Sequence, residues 1–127
     1  MELAGVKGKC FNPEEVGVPA YDELVYVANR DHMNKTVMRK FLAATEEAAN
    51  YIVNHPDESW KVFSGTAKEL QDELNHRPWI DTLPRMSLDP AGLDSNRYAR
   101  FQDFLSKAGM IKNNHPLKDI AIALGPE

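Results

Sequence analysis

The segment of this sequence best suited to chemistry is Tyr21-Asp22-Glu23. It places an aromatic ring beside two carboxylates, at the point where a loop punctuated by glycine and proline leads into an apolar segment. Ligand sites often collect at strand ends, where a few polar groups orient a small molecule. The alternative is that Tyr21 packs within the fold while the two acids cap a helix or face solvent. We take Tyr21, Asp22 and Glu23 as the candidate ligand-binding residues.

The other reactive residue types do not form a recognisable catalytic or metal site. The four histidines are scattered without the spacing of metal ligands, and Cys10 is the single cysteine. Glu46 and Glu47 are adjacent on an expected helix and so point apart, whereas a catalytic carboxylate pair needs burial and convergence. The sequence therefore predicts no catalytic residue, no metal ligand and no cofactor.

Composition and charge exclude several classes of protein. The 127 residues are 43% hydrophobic and 27% charged with a net charge of −4, as in one soluble globular domain. Basic residues form no stripe that would neutralise phosphates, so we expect no nucleic-acid partner. The first residues lack the apolar stretch of a signal peptide, which, taken literally, predicts a cytoplasmic protein.

Two short segments near the N-terminus have the composition of strands. Residues 7–11 precede Asn12-Pro13, and residues 23–29 are rich in β-branched and aromatic side chains, which suits a buried strand. Two short strands do not make a stable sheet on their own. The pattern therefore indicates that part of the sheet is missing from this stretch of sequence.

From Asn34 onward the hydrophobic period becomes helical. We expect a long helix that is capped by Asp31 or Asn34 and ends at His55, because a residue before proline avoids the helical region. A short helix should follow from Pro56 to about Gly65. The apolar face of the long helix is wide enough to require a sheet or several helices against it.

The second half of the sequence predicts two further helices. Residues 66–69 match a capping box, in which Thr66 and Glu69 would open a helix that Pro78 breaks or kinks. A last helix should start after Asp94 and end before Gly109, a residue that favours the left-handed turn after a helix. The segment from residue 117 to residue 124 is ambiguous.

Several segments, in this order, resemble one known family. The substrate-binding proteins of ABC importers for thiamine-pyrimidine precursors carry similar stretches, as do the related eukaryotic thiamine-pyrimidine synthases. The similarity extends from about residue 3 to residue 111. The matching stretches are GVPAYDELVYVAN at 17–29, FLAATE at 41–46, YIVNHPDESW at 51–60, LQDELN at 70–75, DTLPR at 81–85 and RYARF at 97–101.

The resemblance implies an α/β fold of the type II periplasmic-binding-protein kind, with two lobes joined by crossover strands that close on a small molecule. A full member is more than twice as long as this chain. Residues 1–30 would be the end of the second lobe and the returning crossover strand. Residues 31–127 would be the C-terminal helical segment that packs on the absent first lobe. This segment would be mostly helical, with about two short N-terminal strands.

The resemblance also implies a function without covalent chemistry. The intact parent would capture a thiamine-precursor pyrimidine or a related small heterocycle and deliver it to an ABC permease. The parent would be periplasmic or extracytoplasmic. Tyr21, Asp22 and Glu23 would line the hinge side of the cleft, because they lie at the crossover between the lobes. The isolated segment should self-associate through its spare apolar faces.

Two other interpretations stay open at this point. The chain is alternatively a fragment of a thiamine-pyrimidine synthase, whose catalytic histidine and cofactor lysine would lie upstream of Met1. It is otherwise an autonomous cytoplasmic helical protein that binds a partner through exposed apolar surface. The lack of a signal-peptide pattern favours the second of these, and the collinear resemblance argues against it.

Overall fold

Helices and turns make up the regular structure of residues 4–125, the part of the chain that the computed structural model describes. Two units can be distinguished by their contacts: Met1–Met33 with Gly92–Leu124, and Asn34–Ala91 with Gly125–Glu127. Each unit is described by itself below. The predicted division at residue 30 concerns the lobes of a longer fold and stays a prediction.

The unit that begins at Asn34 contains the predicted long and short helices. Helix α1 spans Lys35–Asn54, and the Asn34 side chain caps it by accepting a hydrogen bond from the Val37 backbone N–H at 3.1 Å. Helix α2 spans Pro56–Ser64, with proline in the first turn, where its missing N–H costs nothing. Both predicted helices are confirmed, including the break between them at His55.

Helix α3 spans Glu73–Thr82, and its start differs from the prediction. The proposed capping box is wrong, because Asp72 is the cap and accepts from the Asn75 backbone N–H at 2.9 Å. Thr66 instead donates its hydroxyl to the carbonyl of Phe63 at 2.7 Å, and Glu69 lies in a short 3-10 turn, Lys68–Leu70. The sequence predicted that Pro78 breaks or kinks this helix; a break is not observed, because α3 continues past Pro78 to Thr82.

Packing of the next residue explains why Pro78 does not break α3. A proline in a helix interior loses one backbone hydrogen bond and costs about 3 kcal/mol or more. Trp79 stacks on Phe63 of α2 at 5.1 Å between ring centroids and lies 5.8 Å from the Trp60 ring. These aromatic contacts hold the segment in place and offset the lost hydrogen bond.

The other unit contains helix α4, Ser95–Lys107, and a single helical turn, α5, Leu117–Ile120. The Asp94 side chain caps α4 by accepting from the Arg97 backbone N–H at 3.0 Å. Gly109 has φ +70 after the helix, and the Met110 N–H bonds the Leu105 carbonyl at 2.9 Å. This is the expected C-terminal closure by a glycine in the left-handed region, so both predicted ends of α4 are confirmed.

The two segments with strand-like composition form no strand within residues 4–125. Residues 7–11 and 25–29 are irregular, and the side chains of Leu24 and Val27 are 95% and 89% exposed. A strand exists only through hydrogen bonds to a neighbouring strand, and neither segment pairs with another. Burial of residues 23–29 is therefore not observed, and the α/β fold class stays a prediction.

Candidate ligand-binding site

Tyr21 packs face to face on α4. Its ring lies 4.4 Å from the Phe101 ring between centroids, with 7° between the ring planes. Phe101 continues the stack toward Phe104 at 6.2 Å and 15°. Tyr21 nevertheless stays 37% exposed, so part of the phenol surface remains open to another molecule. The alternative in which Tyr21 packs within the fold is therefore partly what the structure shows.

Asp22 forms an ion pair with α4. The Arg97 guanidinium donates from Nη1 to Asp22 Oδ1 at 2.5 Å, and the two side chains are 42% and 32% exposed. This hydrogen bond, with the attraction of the Asp22 charge, raises the pKa of Arg97. Arg97 Nε also lies 3.9 Å from the Asp94 carboxylate at the start of the helix. Asp22 is thus held by the fold, and its charge is balanced.

Tyr98 adds a second contact between Asp22 and the same helix. Burial raises the pKa of the Tyr98 phenol, and the negative charge and hydrogen bond of Asp22 raise it further. Asp22 therefore interacts with two consecutive residues of α4. Both of its contacts are with groups that belong to the protein, which is the pattern of a structural carboxylate.

Glu23 differs from its two neighbours. The residue is exposed, and among residues 4–125 its carboxylate has no hydrogen bond or ion pair. An ionised carboxylate of this kind accepts hydrogen bonds and attracts amines or cations. The structure therefore brings Tyr21 and Asp22 onto α4 and leaves the Glu23 carboxylate available for a ligand.

The α4 residues of this site were not predicted from the sequence as site residues. In the sequence, Arg97, Tyr98 and Phe101 belong to the last predicted helix and to the matching stretch at 97–101, and none of them was assigned a role in binding. Arg97 and Phe101 are four apart and so lie on one face of α4, which is a signal that a sequence does contain. Their pairing with residues 21 and 22 spans 75 positions or more, so local periodicity does not reveal it.

Other parts of the described chain offer less chemistry. Residues 4–125 hold no group of three or more histidine, cysteine or acidic side chains that could bind a metal ion. No described helix is long and apolar enough to cross a membrane. An open groove of about 390 Å³ lies in the unit that contains α4, and residues 21–23 are not among its lining residues. Its lining is mostly aliphatic: Leu93, Leu117, Lys118, Ala121, Ile122 and Ala123.

Comparison with known proteins finds a family match in the segment that contains Tyr21, Asp22 and Glu23. The family model described as NMT1/THI5 like matches residues 1–59. Residues 1–59 are therefore similar to the NMT1/THI5-like proteins. The resemblance noted from the sequence, to the family of pyrimidine-precursor binding proteins, is therefore confirmed.

Three curated relatives extend the match. A protein of Haemophilus influenzae, provisionally named as a thiamine biosynthesis protein, is 40% identical over 125 residues, which is 98% of this chain. A formylaminopyrimidine-binding protein of Halalkalibacterium halodurans is 35% identical over 80 residues, or 61% of the chain. A 4-amino-5-hydroxymethyl-2-methylpyrimidine phosphate synthase of Candida albicans is 30% identical over 63 residues, or 48%. No solved structure matches significantly.

These relatives are all longer than the chain. The matched stretch is 40% of the Haemophilus protein, 23% of the Halalkalibacterium protein and 19% of the Candida protein. The chain therefore spans less than half the length of each of the relatives it matches.

Proposed function

We propose that this chain is part of a longer protein, called the parent below, that binds a thiamine-precursor pyrimidine or a related small heterocycle. The observation that carries the proposal is the family match over residues 1–59, which contain the candidate residues Tyr21, Asp22 and Glu23. The names of two relatives concern pyrimidines: one binds formylaminopyrimidine, and one makes a hydroxymethylpyrimidine phosphate.

The geometry suits a flat heterocycle that carries an amino group. The open part of the Tyr21 ring offers a surface on which such a ring packs. The Glu23 carboxylate accepts a hydrogen bond from an amine, and such a charge-assisted bond is roughly twice as strong as a neutral one. The chain holds one wall of the proposed cleft, so the isolated chain should bind such a ligand poorly.

The parent is proposed to serve import rather than catalysis. In this proposal it has a two-lobed α/β fold, lies outside the cytoplasm and delivers its ligand to an ABC permease, as the family resemblance implies. Residues 31–127 would then be its C-terminal helical segment. The exposure of Leu24 and Val27 supports this arrangement, because a strand at residues 23–29 would cover them with a sheet formed by other parts of the parent.

A second candidate function is that of a pyrimidine synthase. The specific support is the 30% identity to the Candida synthase over 63 residues. Its catalytic residues would lie outside this chain, as the resemblance implies. Turnover of a substrate by the parent, rather than reversible binding of an unchanged pyrimidine, would favour this second function.

The binding proposal is tested by changing one carboxylate and comparing it with a matched control. Glu23→Ala in the parent should weaken the binding of hydroxymethylpyrimidine measured by calorimetry. Glu14→Ala is the control, because Glu14 is also exposed and lies in the preceding 3-10 turn, Pro13–Val16. Equal affinity of the Glu23→Ala variant and the unchanged parent would remove Glu23 from the site.

Self-association of the isolated chain follows from its exposed surface. The chain of 14.3 kDa exposes 10321 Å². Two separate compact bodies that share this mass would expose only about 8,200 Å². Light scattering of the isolated chain should therefore give a mass above 14.3 kDa that rises with concentration. A strictly monomeric mass with a cooperative melt would contradict this expectation and favour an autonomous small protein.

A further inference from the structure

Two neighbouring residues of the candidate site contact the same helix through different chemistry. Tyr21 uses its ring face on Phe101, and Asp22 uses its carboxylate on the Arg97 guanidinium. The first contact restrains the plane of a ring, and the second restrains the position of an ion pair. Together they restrain the chain immediately before Glu23.

Helix α4 is suited to be a fixed support for these contacts. Arg97 and Phe101 are four residues apart, so both project from one face of the helix. The helix is closed by the Asp94 cap at one end and by the Gly109 turn at the other. These two closures satisfy backbone N–H and C=O groups at the ends of the helix, which would otherwise fray.

The two carboxylates of the site therefore differ in their interaction partners. Asp22 is paired with Arg97 and contacts Tyr98, whereas Glu23 is exposed without a partner among residues 4–125. A carboxylate already bonded to a guanidinium has less capacity and less charge to offer a ligand. An unpaired carboxylate repels anions and favours neutral or cationic amines.

We infer that α4 positions the binding segment, with Arg97 and Phe101 as positioning residues, and that Glu23 rather than Asp22 supplies the carboxylate that recognises the ligand. This inference rests on the proposed function and narrows it. The group recognised at this position is an amino group on a neutral or cationic heterocycle, and phosphate groups are excluded from the immediate surroundings of Glu23.

The positioning role is tested without any ligand, on the 127-residue chain. The four tyrosines are replaced by 3-fluorotyrosine, and their ¹⁹F resonances are assigned by single Tyr→Phe variants. The ¹⁹F chemical shift of Tyr21 should differ from that of free 3-fluorotyrosine because of the Phe101 ring, and Phe101→Leu should abolish this difference. Arg97→Met should make the difference smaller. Arg97→Lys keeps the charge and should restore part of the difference.

A matched control separates positioning from general loss of structure. Arg100→Met removes a cation from the same helix without touching Asp22, so it should leave the Tyr21 resonance in place. Far-ultraviolet circular dichroism should show the same helix content in both arginine variants as in the unchanged chain. A Tyr21 resonance that is unchanged in Arg97→Met, or equally changed in Arg100→Met, would overturn the positioning role.

The division of roles between the carboxylates is tested by binding of hydroxymethylpyrimidine to the parent. Glu23→Gln should lower the affinity about tenfold or more, as expected when a hydrogen bond to a charged group is lost. Asp22→Asn should lower the affinity less. The double variant, Asp22→Asn with Arg97→Met, should lose no more affinity than the weaker-binding of the two single variants. A loss in Asp22→Asn as large as that in Glu23→Gln, or additive losses, would overturn the assignment.

The two parts of the experiment fail in distinguishable ways. If the unchanged parent does not bind the pyrimidine while the ¹⁹F results hold, the proposed function is wrong and the support of residues 21 and 22 by α4 stands. If the pyrimidine binds but Arg97→Met changes neither the resonance nor the affinity, the proposed function stands and this inference is wrong.

Discussion

Replacement of Trp79 by phenylalanine should leave the chain as stable as before, or more stable. The Trp79 ring contacts Phe63 and Trp60, but its indole Nε1 is buried without a hydrogen-bond partner among the described residues. A buried unsatisfied donor costs about 1–3 kcal/mol. Phenylalanine keeps most of the ring contacts and removes the donor. Because it buries less apolar area, it also loses about 1 kcal/mol of stabilisation. The free energy of unfolding should therefore stay equal or rise by up to about 2 kcal/mol.

The assay is urea unfolding followed by far-ultraviolet circular dichroism, at one fixed chain concentration because the chain is expected to self-associate. Trp60→Phe is the matched control: Trp60 lies in the same cluster but has no orphaned indole nitrogen, so that variant should lose about 1 kcal/mol. Trp79→Ala should lose about 3 kcal/mol, since it also opens a cavity. A loss in Trp79→Phe as large as that in Trp60→Phe would refute the reasoning, because removal of the indole N–H would then have brought no gain.

Two further predictions concern the ends of α4. Gly109→Ala should destabilise the chain by about 1 kcal/mol in urea unfolding, since φ is +70 and only backbone strain opposes the new methyl group. Gly109→Asn should cost less, because asparagine tolerates this region, and equal costs would contradict the explanation. The hydrogen bond from the Arg97 backbone N–H lowers the pKa of Asp94 from 3.8. The stabilisation that the ionised Asp94 cap gives to α4 is therefore present above pH 3.8 and is lost as the pH falls through the lowered pKa. Circular dichroism between pH 6 and pH 2 should show a loss of helix that Asp94→Asn reduces; identical profiles would contradict it.

Local signals were enough to predict most helices of this chain. The cap at Asn34, the break at His55-Pro56 and the glycine after α4 each act within a few residues, and each lies where it was expected. Competing local signals caused the errors around α3. The Thr66–Glu69 pattern satisfied the rule for a capping box, but Asp72 lies nearer to the helix and provides the cap.

Features that depend on distant parts of the chain were less accessible. The composition of residues 23–29 is that of a strand, yet a strand requires a partner that composition does not specify. The same limit applies to the candidate site. Tyr21, Asp22 and Glu23 were chosen by residue type, but the pairing of Asp22 with Arg97 joins positions 75 apart, which left Asp22 and Glu23 indistinguishable in the sequence.

Calorimetric titration of hydroxymethylpyrimidine into the parent protein, with the 127-residue chain titrated in parallel, tests the central claim most directly. The account predicts saturable binding of one pyrimidine per parent molecule and little or no heat from the isolated chain. Absence of binding to the parent would contradict the proposal that this chain belongs to a pyrimidine-binding protein. Equal affinity of the isolated chain would contradict the claim that it forms only one wall of the cleft.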